Sequence, residues 1–321
     1  MKALVTGGTG YIGSHVVDLL LEHGHHVRLF SRKPEIPVRL AGKDVSLFSG
    51  DLRDPASLSP AMNGMDAFYH MGEIRNTTSR AAKQNVHHVE RVIDHLAPSG
   101  VKRFVFISSI SVAGIPSRTP ADEETAPKVT LTDHYTWYKE RCEKLLAEHI
   151  AGGEYAVVRP GVVYGPGSRY LGSLISAIDR LGSIGIPFIG KGDKIAPLIH
   201  VRDIARAVYL AGIERDAAGQ VFNITDGLRQ SWSDFFNAIA GALNKKMRIL
   251  SLPPLLFGVP AQFLDVLSGL FGIRISLNAY VQYVTTDLLF DNSKAQRLLN
   301  WKPEYTMIQG IEEMIQEYRE R

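Results

Sequence analysis

The 321-residue sequence predicts an α/β protein built on a doubly wound parallel sheet, followed by a smaller C-terminal lobe. Two observations support this prediction. The chain opens with an apolar strand, Lys2–Thr6, that leads into a glycine-rich turn and a helical pattern over Ile12–Glu22. Further short apolar runs then alternate with helical stretches, as expected when parallel strands are connected by helices.

The glycine turn has the pattern of a dinucleotide-binding loop. Gly7 and Gly10 allow backbone angles that a Cβ atom disfavours, and Gly13 lets the following helix pack closely on the strand. The free N–H groups at the start of that helix would face an anion, most simply a pyrophosphate. Because glycine turns also occur for purely structural reasons, the turn is weak as a single signal and needs its strand and helix context.

The later strands and helices follow in order. Five more buried strands are predicted at Val27–Phe30, Val45–Ser49, Ala67–His70, Phe104–Ile107 and Ala156–Arg159. Ligands of such sheets bind beyond the carboxyl ends of the strands. The residues that fall at those ends are Gly7, Asp51, His70, Ser109 and Pro160.

After about residue 165 the pattern becomes irregular. We predict a dinucleotide-binding domain over residues 1–165 and a substrate-binding lobe over residues 166–321, with some of the later chain returning to the first domain. The helices predicted in the lobe are Leu171–Leu181, Ile204–Ile213, Trp232–Leu243 and Ile308–Tyr318.

Tyr135 and Lys139 form the second motif. They are four residues apart at the start of a predicted helix, so the phenol and the ammonium group lie on one face. A phenol has a pKa of about 10, and acid/base work at neutral pH needs roughly 4 kcal/mol of phenolate stabilisation. Lys139 and an oxidised nicotinamide are possible sources. The alternative is an exposed Tyr and Lys on a solvated helix.

These motifs, in this order, resemble the extended short-chain dehydrogenase/reductases, whose members include NAD-dependent epimerases and dehydratases. The pattern is most similar to the dihydroflavonol reductases and 3β-hydroxysteroid dehydrogenases. The resemblance spans nearly the whole chain. Its further signs are Gly50-Asp51-Leu52, His70-Met71-Gly72, Asn85, Phe106 to Ser109, Arg159-Pro160, Tyr164 to Pro166, His200 to Asp203, and Asp291 to Ala295 followed by Leu299 to Trp301.

The resemblance implies a Rossmann fold and a catalytic set of Ser109, Tyr135 and Lys139. Ser109 would hold the substrate oxygen, Tyr135 would donate or accept the proton, and Lys139 would bind the ribose and tune the tyrosine. Ser108 is adjacent, but Ser109 better fits the family spacing to Gly114. A strand-end hydroxyl bonding its own backbone is the alternative for Ser109. The implied cofactor-binding residues are Gly7, Gly10, Tyr11, Ile12, Gly13, Ser31, Arg32, Lys33, Asp51, Leu52, Met71, Gly72, Tyr135, Lys139, Pro160 and Val162.

The turn after the second strand bears on cofactor choice. An acidic residue there would bind the ribose hydroxyls of NAD, whereas this chain has Ser31, Arg32 and Lys33. Two cations favour a 2′-phosphate, so NADP is the first choice. NAD stays open because Arg32 can instead stack on adenine or be a solvated loop charge.

Departures from the epimerase pattern bear on the substrate. Nucleotide-sugar epimerases commonly place an Asn and an Arg where this chain has Val162 and Ala196, which leaves no cation for a diphosphate in that stretch. A cation reaching the diphosphate from elsewhere stays open, and the candidates are Lys191, Lys194, Arg202 and Arg274. We expect a hydrophobic or aromatic ketone or its alcohol. The alternatives are a nucleotide-sugar 4-epimerase or dehydratase with tightly bound NAD, and a non-catalytic dinucleotide-sensing protein.

Leu252–Phe271 is unusually apolar for such a lobe. Pro253, Pro254, Pro260 and Asp265 interrupt it, so we do not expect a membrane span. A core or dimer-packing helix, a lid over the substrate and a lipid contact remain open.

Composition excludes several classes of protein. With 36 basic and 33 acidic residues, a net charge of +3 gives no reason to expect nucleic-acid binding. Cys142 is the only cysteine, which excludes an intrachain disulfide and fits a reducing compartment. The first strand begins at once, so we expect no signal peptide and a cytoplasmic location. We expect no metal site at His23, His25 and His26 or at His87 and His88. The family resemblance implies a homodimer.

Overall fold

The computed structural model describes residues 1–54, 57–74, 78–131, 133–150, 155–255 and 277–320. Its strands are β1 (Lys2–Thr6), β2 (His26–Ser31), β3 (Val45–Ser49), β4 (Ala67–His70), β5 (Arg103–Ile107), β6 (Ile115–Pro116), β7 (Pro127–Val129), β8 (Tyr155–Pro160), β9 (Val162–Tyr164), β10 (Ile186–Ile189), β11 (Leu198–His200), β12 (Gln220–Ile224) and β13 (Ile249–Leu252).

The α-helices of these residues lie between the strands and after them. They are α1 (Tyr11–Glu22), α2 (Ser59–Met62), α3 (Ser79–Ser99), α4 (His134–His149), α5 (Arg169–Leu181), α6 (Val201–Ile213), α7 (Trp232–Ala242), α8 (Leu277–Thr285), α9 (Ser293–Leu299) and α10 (Met307–Arg319). Every strand and helix named from the sequence is found within a few residues of its expected bounds.

Seven strands form one parallel sheet in the order β12-β8-β5-β4-β1-β2-β3. The predicted fold class, a doubly wound parallel sheet, is confirmed. Strand β1 lies between β2 and β4, so Thr6 at its end stands opposite Phe30 on one side and His70 on the other. From β1 the sheet is extended through β2 and β3 on one side and through β4, β5, β8 and β12 on the other. In such sheets a ligand crevice opens where the strand order changes direction in this way.

Helices cover both faces of the sheet. On one face, α1 packs beside α6 over residues such as Val17 and Val208. On the other, α3 packs beside α4 over residues such as Val89 and Leu146. The near-continuous apolar character of the strands follows from this, because parallel strands are buried on both sides.

The later half of the chain builds a separate apolar cluster. Its buried residues include Ile175, Phe235 and Ile311, from α5, α7 and α10. The sequence interpretation missed β12, which leaves this half and pairs with β8 at the edge of the main sheet. The strand is only five residues long and includes Gln220 and Asn223, so its pattern does not stand out.

The apolar segment Leu252–Phe271 falls largely on residues 256–271, which lie outside the described residues. Among the described helices, none has the length and apolar character needed to cross a membrane.

Candidate functional site

The glycine turn between β1 and α1 is shaped by backbone contacts that exclude side chains. Gly7 has a φ of +70°, and a Cβ there would lie 2.7 Å from backbone atoms of Met71 and Gly72. A Cβ on Gly13 would lie 2.1 Å from the carbonyl oxygen of Gly7. Helix α1 begins at Tyr11 with Gly10 as its N-cap and without a side-chain cap. The first N–H groups of the helix therefore stand next to an open glycine cradle, which fits a pyrophosphate.

Loops after three strands meet at this turn. The N–H of Gly72 donates to Thr6 Oγ1 at 3.1 Å, which ties the loop after β4 to the end of β1. A Cβ on Gly72 would lie 2.9 Å from the side chain of Leu52, in the loop after β3. The structure thus brings Gly7, Leu52, Met71 and Gly72 together, as the carboxyl-end rule predicts for a doubly wound sheet.

Tyr135 and Lys139 lie together on the first turns of α4. The ammonium Nζ of Lys139 is 5.6 Å from the ring centroid of Tyr135 and donates to the Ile107 carbonyl at the end of β5 at 2.7 Å. Lys139 is only 5 % exposed, whereas Tyr135 is 43 % exposed. A buried cation beside a partly exposed tyrosine does not fit the alternative of two solvated surface side chains.

Burial and neighbouring charges shift the pKa values of both Tyr135 and Lys139. Burial among neighbouring protein atoms raises the pKa of Tyr135, and the charges of Glu73 and Asp133 raise it further, while the Ser109 hydroxyl acts to lower it. Burial lowers the pKa of Lys139, and Glu73 opposes that change. Among the protein residues, burial and Glu73 outweigh the groups that lower the Tyr135 pKa. The protein alone therefore holds Tyr135 as a phenol at neutral pH. The expected depression by Lys139 together with an oxidised nicotinamide stays a prediction.

Ser109 lies at the start of a short 3₁₀ turn, Ile110–Ala113, that follows β5. Its Oγ accepts from Ser111, from the N–H at 3.2 Å and the hydroxyl at 2.9 Å. Thr136 Oγ1 lies 3.0 Å from Ser111 Oγ, which links the turn to α4. These bonds match part of the alternative in which the Ser109 hydroxyl only bonds its own turn. The hydroxyl also hydrogen-bonds Tyr135 and acts to lower the pKa of its phenol. Sequence reasoning missed Ser111 and Thr136.

Ser108 is committed elsewhere. It is fully buried and its hydroxyl donates to Glu143, on α4 one turn beyond Lys139. Glu143 also accepts from Arg159 of β8, with Nε 2.9 Å from Oε1. Burial acts to lower the pKa of Arg159, but Glu143 outweighs it and the net direction is upward. This ion pair joins α4 to the sheet beneath the candidate catalytic residues.

Glu73 is a charged residue beside Lys139 that the sequence reasoning missed. It follows Gly72 in the loop after β4, and its Oε2 lies 3.7 Å from Lys139 Nζ. The Tyr138 hydroxyl donates to the same oxygen. No sequence spacing marks this residue, because 66 positions separate it from Lys139 in the sequence.

The loop after β2, where the adenosine end of the cofactor is expected, carries positive charge. Ser31 ends β2, and its hydroxyl accepts from the N–H of Lys33 at 3.1 Å, while Arg32 and Lys33 are exposed. Asp51 pairs with Arg53, and the hydrogen bond from Arg53 lowers the pKa of Asp51 to about 2, with Arg32 contributing. Asp51 and Arg53 thus form a neutral pair, so the positive charge of this corner comes from Arg32 and Lys33.

The other predicted cofactor residues are spread around the crevice. Tyr11 donates through its hydroxyl to the Gly165 carbonyl at 3.1 Å, and the next residue, Ile12, packs on the core under α1. Pro160 is buried at the end of β8. Val162 lies in β9 and packs on the cluster of the later half.

His25 and His26, where β2 begins, contact protein side chains. His26 Nδ1 lies 2.7 Å from Asp44, and His25 Nε2 lies 3.2 Å from the Tyr209 hydroxyl. Within the described ranges, no cluster of three or more His, Cys, Asp or Glu side chains has the arrangement of a metal site.

Comparison with known proteins places this site in a family. A model of the NAD dependent epimerase/dehydratase family matches residues 3–225. The 3beta-hydroxysteroid-dehydrogenase/decarboxylase isoform 2 of Arabidopsis thaliana is 25% identical over 98% of this chain, which spans 61% of that relative. The UDP-glucose 4-epimerase of Vibrio cholerae is 26% identical over 98% of this chain and 94% of its own. The structure of UDP-glucose 4-epimerase from Bifidobacterium longum, in complex with NAD⁺ and UDP, superposes with a TM-score of 0.75 at 22% identity, covering 100% of this chain and 99% of that one.

The chain belongs to the NAD dependent epimerase/dehydratase family, and so to the extended short-chain dehydrogenase/reductases. It is an enzyme of the nicotinamide-dependent type. The family prediction made from the motifs is confirmed. The choice between NAD and NADP, the substrate and the roles of single residues stay predictions.

Proposed function

We propose that this protein is an NADP-preferring oxidoreductase that interconverts a hydrophobic or aromatic ketone and its secondary alcohol. The observation that supports it most is the assembly of Ser109, Tyr135 and Lys139 at the edge of the sheet where the glycine cradle lies. The geometry favours catalysis over dinucleotide sensing, because sensing gives no reason to bury a cation beside a phenol.

The roles follow from the contacts. When bound, the nicotinamide supplies the hydride. Ser109 and Tyr135 would polarise the substrate carbonyl, and Tyr135 would donate the proton in reduction. Lys139 stabilises negative charge on the phenol oxygen, and its bond to the Ile107 carbonyl fixes its position. In oxidation the same phenol would accept the proton.

The substrate proposal rests on two positions in the later half. Ala196 is buried in its apolar cluster, and Val162 packs on the same cluster, where epimerases of the family commonly have polar side chains. Two described cations of this half have acidic partners: Lys194 Nζ lies 3.9 Å from Asp287, and Arg202 donates to Glu313 at 2.9 Å. The Arabidopsis thaliana relative is a 3beta-hydroxysteroid-dehydrogenase/decarboxylase, and a hydroxysteroid substrate would be consistent with this choice.

A nucleotide-sugar 4-epimerase or dehydratase is the second candidate, favoured by the Vibrio cholerae relative. Such an enzyme oxidises and then reduces a bound sugar, so its NAD stays in place. The deciding experiment denatures freshly purified protein, identifies released nucleotide by chromatography, and titrates the emptied protein with NADPH and NADH. We expect little retained NAD and tighter binding of NADPH, followed by turnover of apolar ketones. Near-stoichiometric retained NAD would reject the proposal.

The cofactor preference has its own test. Changing Arg32 and Lys33 to alanine is expected to weaken NADPH binding about tenfold or more while leaving NADH binding nearly unchanged. Loss of charge-assisted contacts to a 2′-phosphate, worth about 1.5–3 kcal/mol each, is the physical reason. Fluorescence titration gives both dissociation constants. Alanine at the exposed Lys245 and Lys246 removes equal charge far from the turn and serves as the control. Equal NADPH affinity in the Arg32/Lys33 variant would remove the preference.

We also propose a homodimer formed through α3 and α4, as the family resemblance implies. The exposed fraction of Trp137 on α4, 39 %, is consistent with a contact there. Sedimentation of the purified protein would decide this.

A further inference from the structure

The loop after β4 carries a carboxylate into the candidate active site. Glu73 Oε2 lies 3.7 Å from Lys139 Nζ and accepts a hydrogen bond from the Tyr138 hydroxyl. The rings of Tyr135 and Tyr138 have centroids 5.5 Å apart, so the carboxylate contacts the immediate neighbours of the catalytic phenol. The Glu73 side chain is 32 % exposed, open on one side and held on the other.

Both flanks of Glu73 are anchored to the fold. Gly72 on one side donates to Thr6 Oγ1 at 3.1 Å. Ile74 on the other side donates its N–H to Asn85 Oδ1 at 2.8 Å, and Asn85 Nδ2 donates back to the Ile74 carbonyl at 3.1 Å. The backbone on either side of Glu73 is therefore fixed by β1 and by α3, which lets a single carboxylate be placed accurately.

We propose that Glu73 is a positioning residue of this active site, whose carboxylate holds Lys139 and Tyr138 in place and favours the protonated form of Tyr135, the proton donor of carbonyl reduction. The proposal rests on the proposed oxidoreductase function. It extends that function by assigning the group that keeps Tyr135 protonated, because the site then contains a neutral carboxylate–ammonium pair rather than a lone ammonium group beside Tyr135.

The charge of Glu73 explains why the protonated form of Tyr135 is favoured. A lone Lys139 would stabilise a phenolate, whereas a carboxylate at 3.7 Å from its ammonium offsets that field and favours the neutral phenol, the proton donor of reduction. The pKa of Tyr135 is raised, with burial the largest cause and Glu73 next. The other titratable or hydroxyl-bearing groups that face this pair are His70 of β4, Ser109 after β5, Asp133, Tyr138, Cys142 and Glu143 of the α4 region, and Tyr283 of α8.

The test replaces Glu73 by glutamine, which keeps an oxygen acceptor for Tyr138 and removes the charge. We expect the pH at which alcohol oxidation reaches half its maximum to fall by about one unit, since a like charge that opposes phenolate formation is gone. Below that midpoint, alcohol oxidation by the variant should be a larger fraction of its own maximum than in the wild type at the same pH. Glu73→Asp retains the charge and is expected to restore most of the wild-type profile.

A second readout needs neither substrate nor cofactor. The phenolate absorbance of Glu73→Gln is titrated against pH, and the curve of Glu73→Gln/Tyr135→Phe is subtracted to isolate Tyr135. In the wild-type background, the curve of Tyr135→Phe is subtracted from that of the wild type in the same way. We expect phenolate to form at lower pH in the Gln background. Glu140→Gln is the matched control, because Glu140 lies on α4 next to Lys139 in sequence but pairs with Lys144 at 2.6 Å.

The outcomes separate this proposal from the function on which it rests. A Tyr135 titration that does not move in Glu73→Gln, or moves equally in Glu140→Gln, overturns the assignment to Glu73. A shifted phenol titration in a protein that turns over no ketone or alcohol supports the assignment and rejects the proposed reaction.

Discussion

Replacing Lys139 by methionine is expected to abolish turnover while leaving the protein folded. The substitution removes the cation that lies 5.6 Å from the Tyr135 ring and leaves an apolar chain of similar length. Because burial and Glu73 already raise the pKa of the phenol, loss of the ammonium group leaves little to stabilise a phenolate. Misplaced acid/base groups commonly cost about 10²–10⁴ in rate, so kcat should fall at least that far.

Folding should survive because burial disfavours the charge that is removed. Lys139 is only 5 % exposed and burial lowers its pKa, so its charge is costly in the fold. Its partner Glu73 has a side chain that is 32 % exposed, so the carboxylate keeps contact with water when the ammonium group is removed. Thermal melting of the variant is therefore expected to lie close to that of the wild type. Lys144→Met removes an exposed lysine from the same helix and should retain full activity. A Lys139→Met enzyme with activity within about tenfold of the wild type would contradict the assigned role.

Replacing Glu143 by alanine is expected to destabilise the fold by about 3–5 kcal/mol. Glu143 and Arg159 have only 8 % and 13 % of their side chains exposed, and Ser108 donates to the same carboxylate. Removal of one partner leaves Arg159 buried with its charge unpaired and Ser108 without its acceptor. Chemical denaturation gives the free energy of unfolding directly.

Two further variants test the cause. Glu140→Ala removes a more exposed carboxylate of the same helix, and a loss of no more than about 1 kcal/mol is expected. Joint replacement of Glu143 by leucine and Arg159 by methionine should recover much of the stability, because neither charge is then left alone. A Glu143→Ala protein as stable as Glu140→Ala would show that the buried pair is dispensable.

The sequence predicted the features that depend on neighbouring residues. Strands β1 to β5 and β8 follow from local apolar runs, and the Gly7 turn follows from the conformations that glycine alone allows. The shared helix face of Tyr135 and Lys139 follows from helical periodicity. Family resemblance added Ser109, and the structure explains why the neighbouring Ser108 serves another purpose.

Other features became visible only in three dimensions. The addition of β12 to the sheet depends on pairing with β8, not on a strong pattern of its own. The rise in the pKa of Tyr135 caused by the protein residues was not visible in the sequence, because burial and the Glu73 charge are properties of the surroundings.

By itself, the sequence determined the class of sheet, the glycine cradle and the two candidate catalytic residues that share a helix face. Tertiary structure alone decided that Glu73 stands beside Lys139 and that Glu143 holds Arg159 and Ser108. The physical reason is the range of each interaction. Backbone preferences and helix periodicity act within a few residues, whereas an ion pair or a desolvated phenol depends on groups that folding brings together from distant parts of the chain.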